Sequence, residues 1–474
     1  MIKKILFINP KIYAHYPGAL NPHLGLGYLA ESVKENVEVK VIDLLLGHTT
    51  ENTIEEIKKF QPDVIGITLF SFDFLNSYKL INRIKKETKL PIILGGAHIS
   101  CFKEDVLKKT NADYAIYSEG EIPLKEFCDG KPVEEINGFI YRKDNQIIIN
   151  PPNLPINLNQ LTYPKYADFE LDKYGFVKEG RIPIATARGC PYKCNYCSAH
   201  MTVGRGFRAR SPENVLDELK YWHNKHFKTF EIIDDCFNYD IERAKKICDL
   251  IIENKMKIKI RCGSGIRANH VDEELLTKMK KAGLEYTAYG LESGNQKILN
   301  RMRKGITIEQ AMKTFRLTSR AGINFSVNFI IGHAEETYEK ATETLNLANR
   351  ILKENKNCYV NFHNMIPYPG TEIYDYIKKQ GTFVLPEEEY LTETATKTNQ
   401  PLFETPEFTI AERKKILKKG FDISRKSHLI NRLGKVKGNI VWYLVKNEKW
   451  YQRSRKFALG TKIGRRIYKL SIKN

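Results

Sequence analysis

Short apolar segments that alternate with amphipathic helical patterns recur along residues 1–370 of this 474-residue chain. The first series predicts five strands, at residues 4–9, 37–43, 63–69, 91–96 and 113–117. Continuous apolar strands separated by helices are typical of a parallel sheet that is covered by helices on both faces. We therefore predict an α/β protein whose N-terminal unit is a doubly wound parallel sheet, Rossmann-like or flavodoxin-like, which binds ligands beyond the carboxyl ends of its strands.

A second series of strands and helices begins at Ile182 and predicts six strands, at residues 182–187, 229–233, 257–262, 286–291, 325–331 and 358–365. Six β/α units are fewer than the eight of a closed barrel, so we predict a partial TIM barrel. A β-hairpin at 138–150 and four prolines between Pro151 and Pro164 separate the two series. The predicted domains are residues 1–135, a hairpin and proline-rich linker at 136–180, the barrel at 181–400 and a C-terminal extension at 401–474.

The basic charge of the chain is concentrated at its C-terminus. Lysine and arginine exceed acidic residues by 20 in the whole chain, and residues 411–474 contribute 17 of that excess. Interleaved apolar and aromatic residues, including Trp442 and Trp450, predict a mainly helical extension that packs on the barrel and exposes a basic face. Docking to an anionic membrane surface, or binding of a phosphorylated, acidic or lipid-linked substrate, stays open for this segment. It contains no recognisable nucleic-acid-binding module, which disfavours nucleic acid as a partner.

The cysteine content and the hydropathy pattern indicate a cytoplasmic protein. The nine cysteines are an odd number, and a chain of this size needs no disulfide bonds for stability, so we expect a reducing compartment. No segment has the pattern of a signal peptide, and no apolar run is long enough to span a bilayer. Attachment of the basic extension to the inner face of the membrane stays open.

Three cysteines with the spacing CxxxCxxC follow the first strand of the second series: Cys190, Cys194 and Cys197. Structural zinc takes four protein ligands, and apart from His200 this loop offers no fourth one. Iron–sulfur clusters also usually take four cysteines, so a cluster held by three leaves one iron open to a substrate or cofactor. A further thiol downstream, Cys236, is predicted to be an inert core residue.

This cysteine spacing, at the end of the first strand of a parallel barrel, resembles that of the radical S-adenosylmethionine (SAM) superfamily. The resemblance implies that the three cysteines hold a catalytic [4Fe-4S] cluster whose open iron binds SAM. It also implies reductive cleavage of SAM to methionine and a 5′-deoxyadenosyl radical, with electrons from an external donor of flavodoxin or ferredoxin type. The cofactor then carries the difficult chemistry, and the barrel orients it and excludes water.

Further motifs of the second series resemble the strand ends that contact SAM in this superfamily. They lie at 230–235, 289–294 and 328–335, and in the last of them Asn328 replaces the first glycine of a GxIxGxxE pattern. The SAM contacts that this resemblance implies are Tyr196, Asp234, Asp235, Glu292, Ser293 and Gly332.

The N-terminal series, next to such a barrel, resembles the cobalamin-binding domain of many radical SAM proteins. The matching segments are 22–30, 62–68, 95–98 and 118–121, and the cobalamin contacts that they imply are Gly25, Gly27, Thr68, Gly95, Gly96 and His98. The DxHxxG motif, whose histidine ligates cobalt, is not intact, because Tyr13 replaces the aspartate before His15. Without that orienting carboxylate we expect cobalamin to bind without a protein ligand, and ligation by His15 stays open.

The two resemblances together imply a cobalamin-dependent radical SAM enzyme that transfers a methyl group to an unactivated carbon. An oxidative cyclisation or rearrangement with the same cofactors stays open, as does the identity of the small-molecule or lipid-linked substrate. A methylthiotransferase is disfavoured, because its N-terminal domain needs three cysteines and residues 1–150 contain only Cys101 and Cys128. A cobalamin or redox sensor that binds DNA is disfavoured too, since no DNA-binding pattern is evident.

Overall fold

A computed structural model of the chain describes residues 1–11, 19–71, 74–152, 157–386, 389–391 and 400–446. The N-terminal sheet has seven strands in the order β2-β1-β3-β4-β5-β6-β7, of which β1 to β5 run parallel. The strands are β1 Lys4–Asn9, β2 Glu38–Asp43, β3 Val64–Thr68, β4 Ile92–Gly95, β5 Tyr114–Ile116, β6 Phe139–Lys143 and β7 Gln146–Ile149. Helices cover this sheet: α1 Leu24–Val33, α2 Thr50–Phe60, α3 Phe74–Thr88, α4 Ala97–Phe102, α5 Glu104–Lys109 and α6 Glu121–Cys128. The five predicted parallel strands are therefore confirmed.

The hairpin of β6 and β7 belongs to this sheet and not to the linker in which the sequence pattern predicts it. Strand β6 pairs antiparallel with β5, and β7 then pairs with β6. Phe139 and Ile140 are fully buried, so the hairpin completes the hydrophobic core at this edge of the sheet. The sheet thus extends to Ile149, beyond the predicted boundary at residue 135.

The second domain contains a six-stranded parallel sheet in the order β8-β11-β12-β13-β14-β15, as predicted for a partial barrel. Its strands are β8 Arg181–Ile184, β11 Thr229–Ile232, β12 Lys259–Ile266, β13 Leu284–Glu292, β14 Asn324–Ile331 and β15 Cys358–Asn364. Two short antiparallel pairs accompany them: β9 Ala187–Arg188 with β10 Arg208–Ala209, and β16 Thr382–Phe383 with β17 Phe403–Glu404. The helices are α7 Gly175–Lys178, α8 Ala199–Val203, α9 Pro212–Asn224, α10 Ile241–Glu253, α11 Glu273–Lys281, α12 Gln296–Arg301, α13 Ile308–Arg320, α14 Tyr338–Glu354 and α15 Glu372–Gln380.

Two helices follow β17 in the described part of the C-terminal extension, α16 Ile410–Leu433 and α17 Lys435–Val445. A capping box of Thr409 and Glu412 starts α16, which packs against β15 and α14. Helix α17 exposes an apolar stripe instead, with Val436 73%, Ile440 57% and Tyr443 70% accessible. Within the described ranges, no helix is long and apolar enough to cross a membrane.

Candidate active site

A cavity of about 500 Å³ lies between the carboxyl ends of the two parallel sheets. The N-terminal domain lines it with strand-end residues that include Thr68 and Gly95, and the barrel lines it with Ala187, Arg188 and Asp235. Parallel strands bring their carboxyl ends to one edge of a sheet, so residues distant in sequence meet at such an edge. Here two such edges face the same space, which is therefore the strongest candidate for a ligand site.

Four of the six residues predicted to contact cobalamin line this cavity: Gly25, Thr68, Gly95 and Gly96. Gly27 instead faces the linker, because a Cβ atom on it would lie 2.7 Å from both Pro164 Cβ and Tyr166 Cε1. His15 lies outside the described residues.

His98 is not part of the cavity lining either. It is fully buried, and its two ring nitrogens are hydrogen-bonded to Tyr78 Oη at 2.8 Å and Ser71 Oγ at 3.1 Å. Its ring packs against Phe74 and Phe102. Burial lowers the pKa of His98 to about 3, so the ring is neutral. These contacts give His98 a role in the core of the N-terminal domain, and we do not assign it to cobalamin.

The loop that carries the three cysteines follows β9 and begins with a close backbone contact. Gly189 has φ +87°, and a Cβ atom on it would lie 2.1 Å from the carbonyl oxygen of Gly206. Its N–H donates to Oδ2 of Asp235, at 3.3 Å. Asp235 therefore both lines the cavity and anchors the start of the cysteine loop.

The three loop cysteines carry free, partly buried thiols. Burial raises the pKa of Cys197, and the charges of Cys194 and Cys190 raise it further. In the described part of the chain, however, no three His, Cys, Asp or Glu side chains are close enough together to hold a metal ion. The thiol of Cys190 is instead hydrogen-bonded to Cys236, which lowers the pKa of Cys190. Cys236 is 2% exposed, which agrees with its predicted location in the core.

The two acidic residues at the end of β11, Asp234 and Asp235, have different roles. Asp235 faces the cavity, whereas Asp234 is 2% exposed and accepts hydrogen bonds from the backbone N–H and the hydroxyl of Thr186. Burial raises the pKa of Asp234, which the bonds from Thr186 partly offset. Asp234 therefore fixes the backbone after β8, and of the two predicted SAM contacts only Asp235 lines the cavity.

Glu292, at the end of β13, forms a buried ion pair with Lys304 at 2.8 Å. Lys304 also donates to the hydroxyl of Tyr196, at 3.3 Å, so the ion pair connects β13 to the cysteine loop. Glu292 has φ +76°, a conformation that costs a non-glycine residue about 1–3 kcal/mol and that clusters at functional sites. Lys304 was not predicted from the sequence. Burial of Glu292 without a cation would be costly, and this requirement could have indicated a lysine or arginine partner.

Ser293 and Gly332 contact other parts of the protein. Ser293 is fully buried, and its hydroxyl bonds to Thr344 Oγ1 at 3.4 Å and accepts from the backbone N–H of Asn295. The carbonyl of Gly332 accepts from Arg413 of α16 at 2.8 Å, and a Cβ atom on Gly332 would lie 2.3 Å from Arg413 Nη1. Glycine at 332 therefore permits the approach of an arginine. Both residues remain predicted SAM contacts that the structure does not bring to the cavity.

Arg188 connects the cysteine loop to the N-terminal domain. Its guanidinium donates to Oε1 of Glu119 and to Oε1 of Glu121, each at 2.7 Å, and lies 4.6 Å from the ring centre of Tyr28. Arg208 pairs with the second oxygen of Glu119, also at 2.7 Å. Burial favours the neutral form of Glu121, but the charge and hydrogen bond of Arg188 prevail and keep the pKa of Glu121 below its ordinary value. We call Arg188, Arg208, Glu119 and Glu121 the interdomain ion cluster.

Comparison with known families agrees with the division of the chain into an N-terminal domain and a partial barrel. Residues 10–128 match the family model of the B12 binding domain, and residues 184–348 match that of the radical SAM superfamily. An uncharacterised methyltransferase of Pyrococcus horikoshii is 29% identical over 435 residues, which cover 89% of this chain and 92% of that protein. An anaerobic magnesium-protoporphyrin IX monomethyl ester cyclase of Rubrivivax gelatinosus is 29% identical over 369 residues, 73% of this chain and 65% of that protein. Among solved structures, the cobalamin-dependent SAM radical enzyme OxsB superposes with a TM-score of 0.75 at 17% identity, over 99% of this chain and 74% of that chain.

These matches define a protein with two cofactor-binding domains. Residues 184–348 form a radical SAM domain, and residues 10–128 form a B12 binding domain. The side chains fit the cofactors that these domains imply. Three free thiols on one loop are the donor set of a cluster with one open iron, and the cavity beside the B12 binding domain holds a buried nitrogen, His23 Nε2, that has no partner among the described residues.

Proposed function

We propose that this enzyme transfers a methyl group to an unactivated carbon of a small-molecule substrate, using cobalamin and SAM. The observation that supports the proposal is the shared cavity, which Thr68 and Gly95 line from the B12 binding domain and Asp235 lines from the barrel. A methyl carrier and a radical generator have to act on one substrate atom, so their sites must open into one space.

When bound, the cluster with SAM supplies a carbon radical, and cobalamin supplies a methyl group. The chain's own residues hold and orient these groups. Cys190, Cys194 and Cys197 are the proposed cluster ligands. Asp235 anchors the loop through the N–H of Gly189, and Arg188 fixes it against the N-terminal domain. The predicted contacts Tyr196 and Glu292 form the SAM side of the site together with Lys304.

An oxidative cyclisation is the second candidate, because one relative, 29% identical over 369 residues, is an anaerobic magnesium-protoporphyrin IX monomethyl ester cyclase. Methyl transfer consumes one SAM as methyl donor and a second as radical source, so it yields S-adenosylhomocysteine together with 5′-deoxyadenosine. A cyclisation without methyl transfer yields 5′-deoxyadenosine alone. The ratio of the two products therefore separates the candidates.

The test is reconstitution of the full chain with iron, sulfide and cobalamin, reduction in the presence of SAM, and assay of methionine, 5′-deoxyadenosine and S-adenosylhomocysteine. Cys194→Ala should abolish 5′-deoxyadenosine formation. Cys248→Ala is the matched control, because Cys248 is buried in α10 as part of the hydrophobic core of the barrel. Equal 5′-deoxyadenosine formation by wild type and Cys194→Ala would refute the radical SAM mechanism.

We also propose that the C-terminal extension docks on an anionic membrane surface. Val436, Ile440 and Tyr443 are exposed with the i, i+4, i+7 spacing of one helix face, and Lys435 and Lys437 flank it. An apolar helix face next to basic side chains is complementary to an anionic bilayer.

Sedimentation with vesicles tests this docking. The protein should bind phosphatidylserine-containing vesicles in a salt-sensitive way and not bind neutral ones. The double variant Val436→Ser/Ile440→Ser should lose binding, whereas Val384→Ser, which alters an exposed apolar residue outside the extension, should retain it. Binding that is unchanged in the double variant, or dimer formation through this face, would contradict the proposal.

A further inference from the structure

His23 lies at the wall of the cavity, in the position that caps the N-terminus of α1. Its Nδ1 accepts a hydrogen bond from the backbone N–H of Leu26, at 3.0 Å. The other ring nitrogen, Nε2, is buried and has no hydrogen-bond partner among the described residues. A buried polar group without a partner costs about 1–3 kcal/mol, so such an atom beside a cavity indicates a ligand that completes its bonding.

Three neighbours fix the orientation of this ring. The bond from Leu26 holds one edge, and the ring of Phe70, which also lines the cavity, lies with its centre 5.4 Å away. Gly25 leaves room for it, since a Cβ atom there would lie 3.1 Å from His23 Cε1. Gly25 was predicted to contact cobalamin directly, and the structure shows that its missing side chain also makes space for His23.

The protonation of His23 follows from these contacts. Burial lowers the pKa of His23 to about 4, so the ring is neutral at pH 7. A neutral imidazole carries one proton, and Nδ1 uses its lone pair for the N–H of Leu26, so the proton is on Nε2. Nε2 is therefore a donor. It has no lone pair with which to ligate a metal, so His23 cannot be a cobalt ligand while it caps α1.

We propose that His23 Nε2–H donates a hydrogen bond to an amide carbonyl on the rim of the corrin ring. This inference rests on the proposed function, because it takes cobalamin as the occupant of the cavity. The periphery of the corrin ring carries acetamide and propionamide side chains, whose carbonyl oxygens are acceptors. His23 is thus a cofactor-binding residue that recognises the edge of the ring and leaves the cobalt without a ligand from this position.

Two substitutions isolate the donor. His23→Ser keeps an N-cap acceptor for Leu26 and removes the ring, whereas His23→Phe keeps an aromatic ring beside Phe70 and removes the cap. Only the loss of the Nε2 donor is common to both. Thr49→Ala serves as the matched control, because it removes the N-cap of α2, and Thr49 does not line the cavity.

The readout is the dissociation constant of hydroxocobalamin, measured by absorbance titration of the full chain after cluster reconstitution. Both His23 variants should bind about 3- to 10-fold more weakly than wild type, the effect of one neutral hydrogen bond, and Thr49→Ala should bind like wild type. Wild-type affinity in His23→Ser would overturn the inference, as would weakening in His23→Phe alone, which would assign the effect to the helix cap.

Electron paramagnetic resonance of bound cob(II)alamin distinguishes a donor from a ligand. The spectrum should have the same nitrogen splitting pattern in wild type and in His23→Ser. A splitting present in wild type and lost in His23→Ser would make His23 a cobalt ligand and overturn the inference. Failure of the wild type to bind cobalamin at all would overturn the proposed function, an outcome distinct from equal binding by wild type and variant.

Discussion

Replacement of Arg188 by methionine should destabilise the protein strongly, because it leaves a carboxylate buried without its cation. The side chains of Arg188, Glu119 and Glu121 are 13%, 3% and 7% exposed. Arg208 still neutralises Glu119 in the variant, so the orphaned charge is that of Glu121. Removal of one partner of a buried ion pair costs about 3–5 kcal/mol, and we expect a loss in that range for Arg188→Met.

Equilibrium urea unfolding of four proteins measures this coupling: wild type, Arg188→Met, Glu121→Gln and the double variant. In the double variant the orphaned charge is gone, so the loss should be smaller than the sum of the two single losses by about 1–3 kcal/mol. Arg303→Met is the control, because its partner Glu372 is 55% exposed and such surface pairs contribute about 0–1 kcal/mol. An Arg188→Met loss no larger than that of Arg303→Met, or strict additivity in the cycle, would refute the reasoning.

The ion pair of Arg188 and Glu121 makes the stability of the protein depend on pH. Arg188 keeps the pKa of Glu121 below its ordinary value of 4.5 against the opposing effect of burial. A carboxyl with a lowered folded-state pKa stabilises the protein above its unfolded-state pKa and loses that contribution as the pH falls through the folded-state value. The difference in the free energy of unfolding between wild type and Arg188→Met should therefore have its full size at pH 7 and decrease below pH 4.5.

Four further substitutions test neighbouring parts of the protein. Cys236→Ser should retain cluster iron after reconstitution, measured by iron and sulfide content, whereas Cys190→Ser should lose it; equal loss would make Cys236 a ligand. Gly332→Ala should lower the thermal unfolding temperature, because it adds a Cβ atom 2.3 Å from Arg413 Nη1 at a residue with φ +103°, a strain of about 1–3 kcal/mol. Burial raises the pKa of Glu336 from 4.5 to about 7, so its ionisation makes stability fall as the pH rises from 4.5 to about 7. Glu336→Gln should flatten that fall, and an unchanged pH profile of unfolding would exclude Glu336 as its source.

The elements that carry the site could be predicted from the sequence because they depend on local pattern. Continuous apolar runs and intervening helical periodicity define parallel strands, and the carboxyl ends of such strands share one edge. That rule predicts that Thr68 and Gly95 lie together at one edge of the sheet, which is one wall of the cavity. It also placed Asp235 at the strand end that forms the opposite wall.

The contacts between domains could not be predicted in this way. Arg188 meets Glu119 across 69 residues of sequence, and Arg413 meets Gly332 across 81. Periodicity defines which face of an element is buried but not which other element covers it. The sequence does not distinguish a buried arginine from a solvent-exposed one, so only the structure identifies the interdomain ion cluster.

A glycine or an arginine in this sequence can be interpreted either as a ligand contact or as a contact within the protein. A glycine permits close approach, but the approaching group is the linker at Gly27 and the buried guanidinium of Arg413 at Gly332. Arg413 is itself one of the basic residues of the C-terminal extension, yet it is 1% exposed and holds the turn after β14. The excess charge of the extension is therefore not all available to a partner: α16 uses part of it to complete the barrel, and the face proposed above to dock on a membrane begins at α17, where the apolar stripe is exposed.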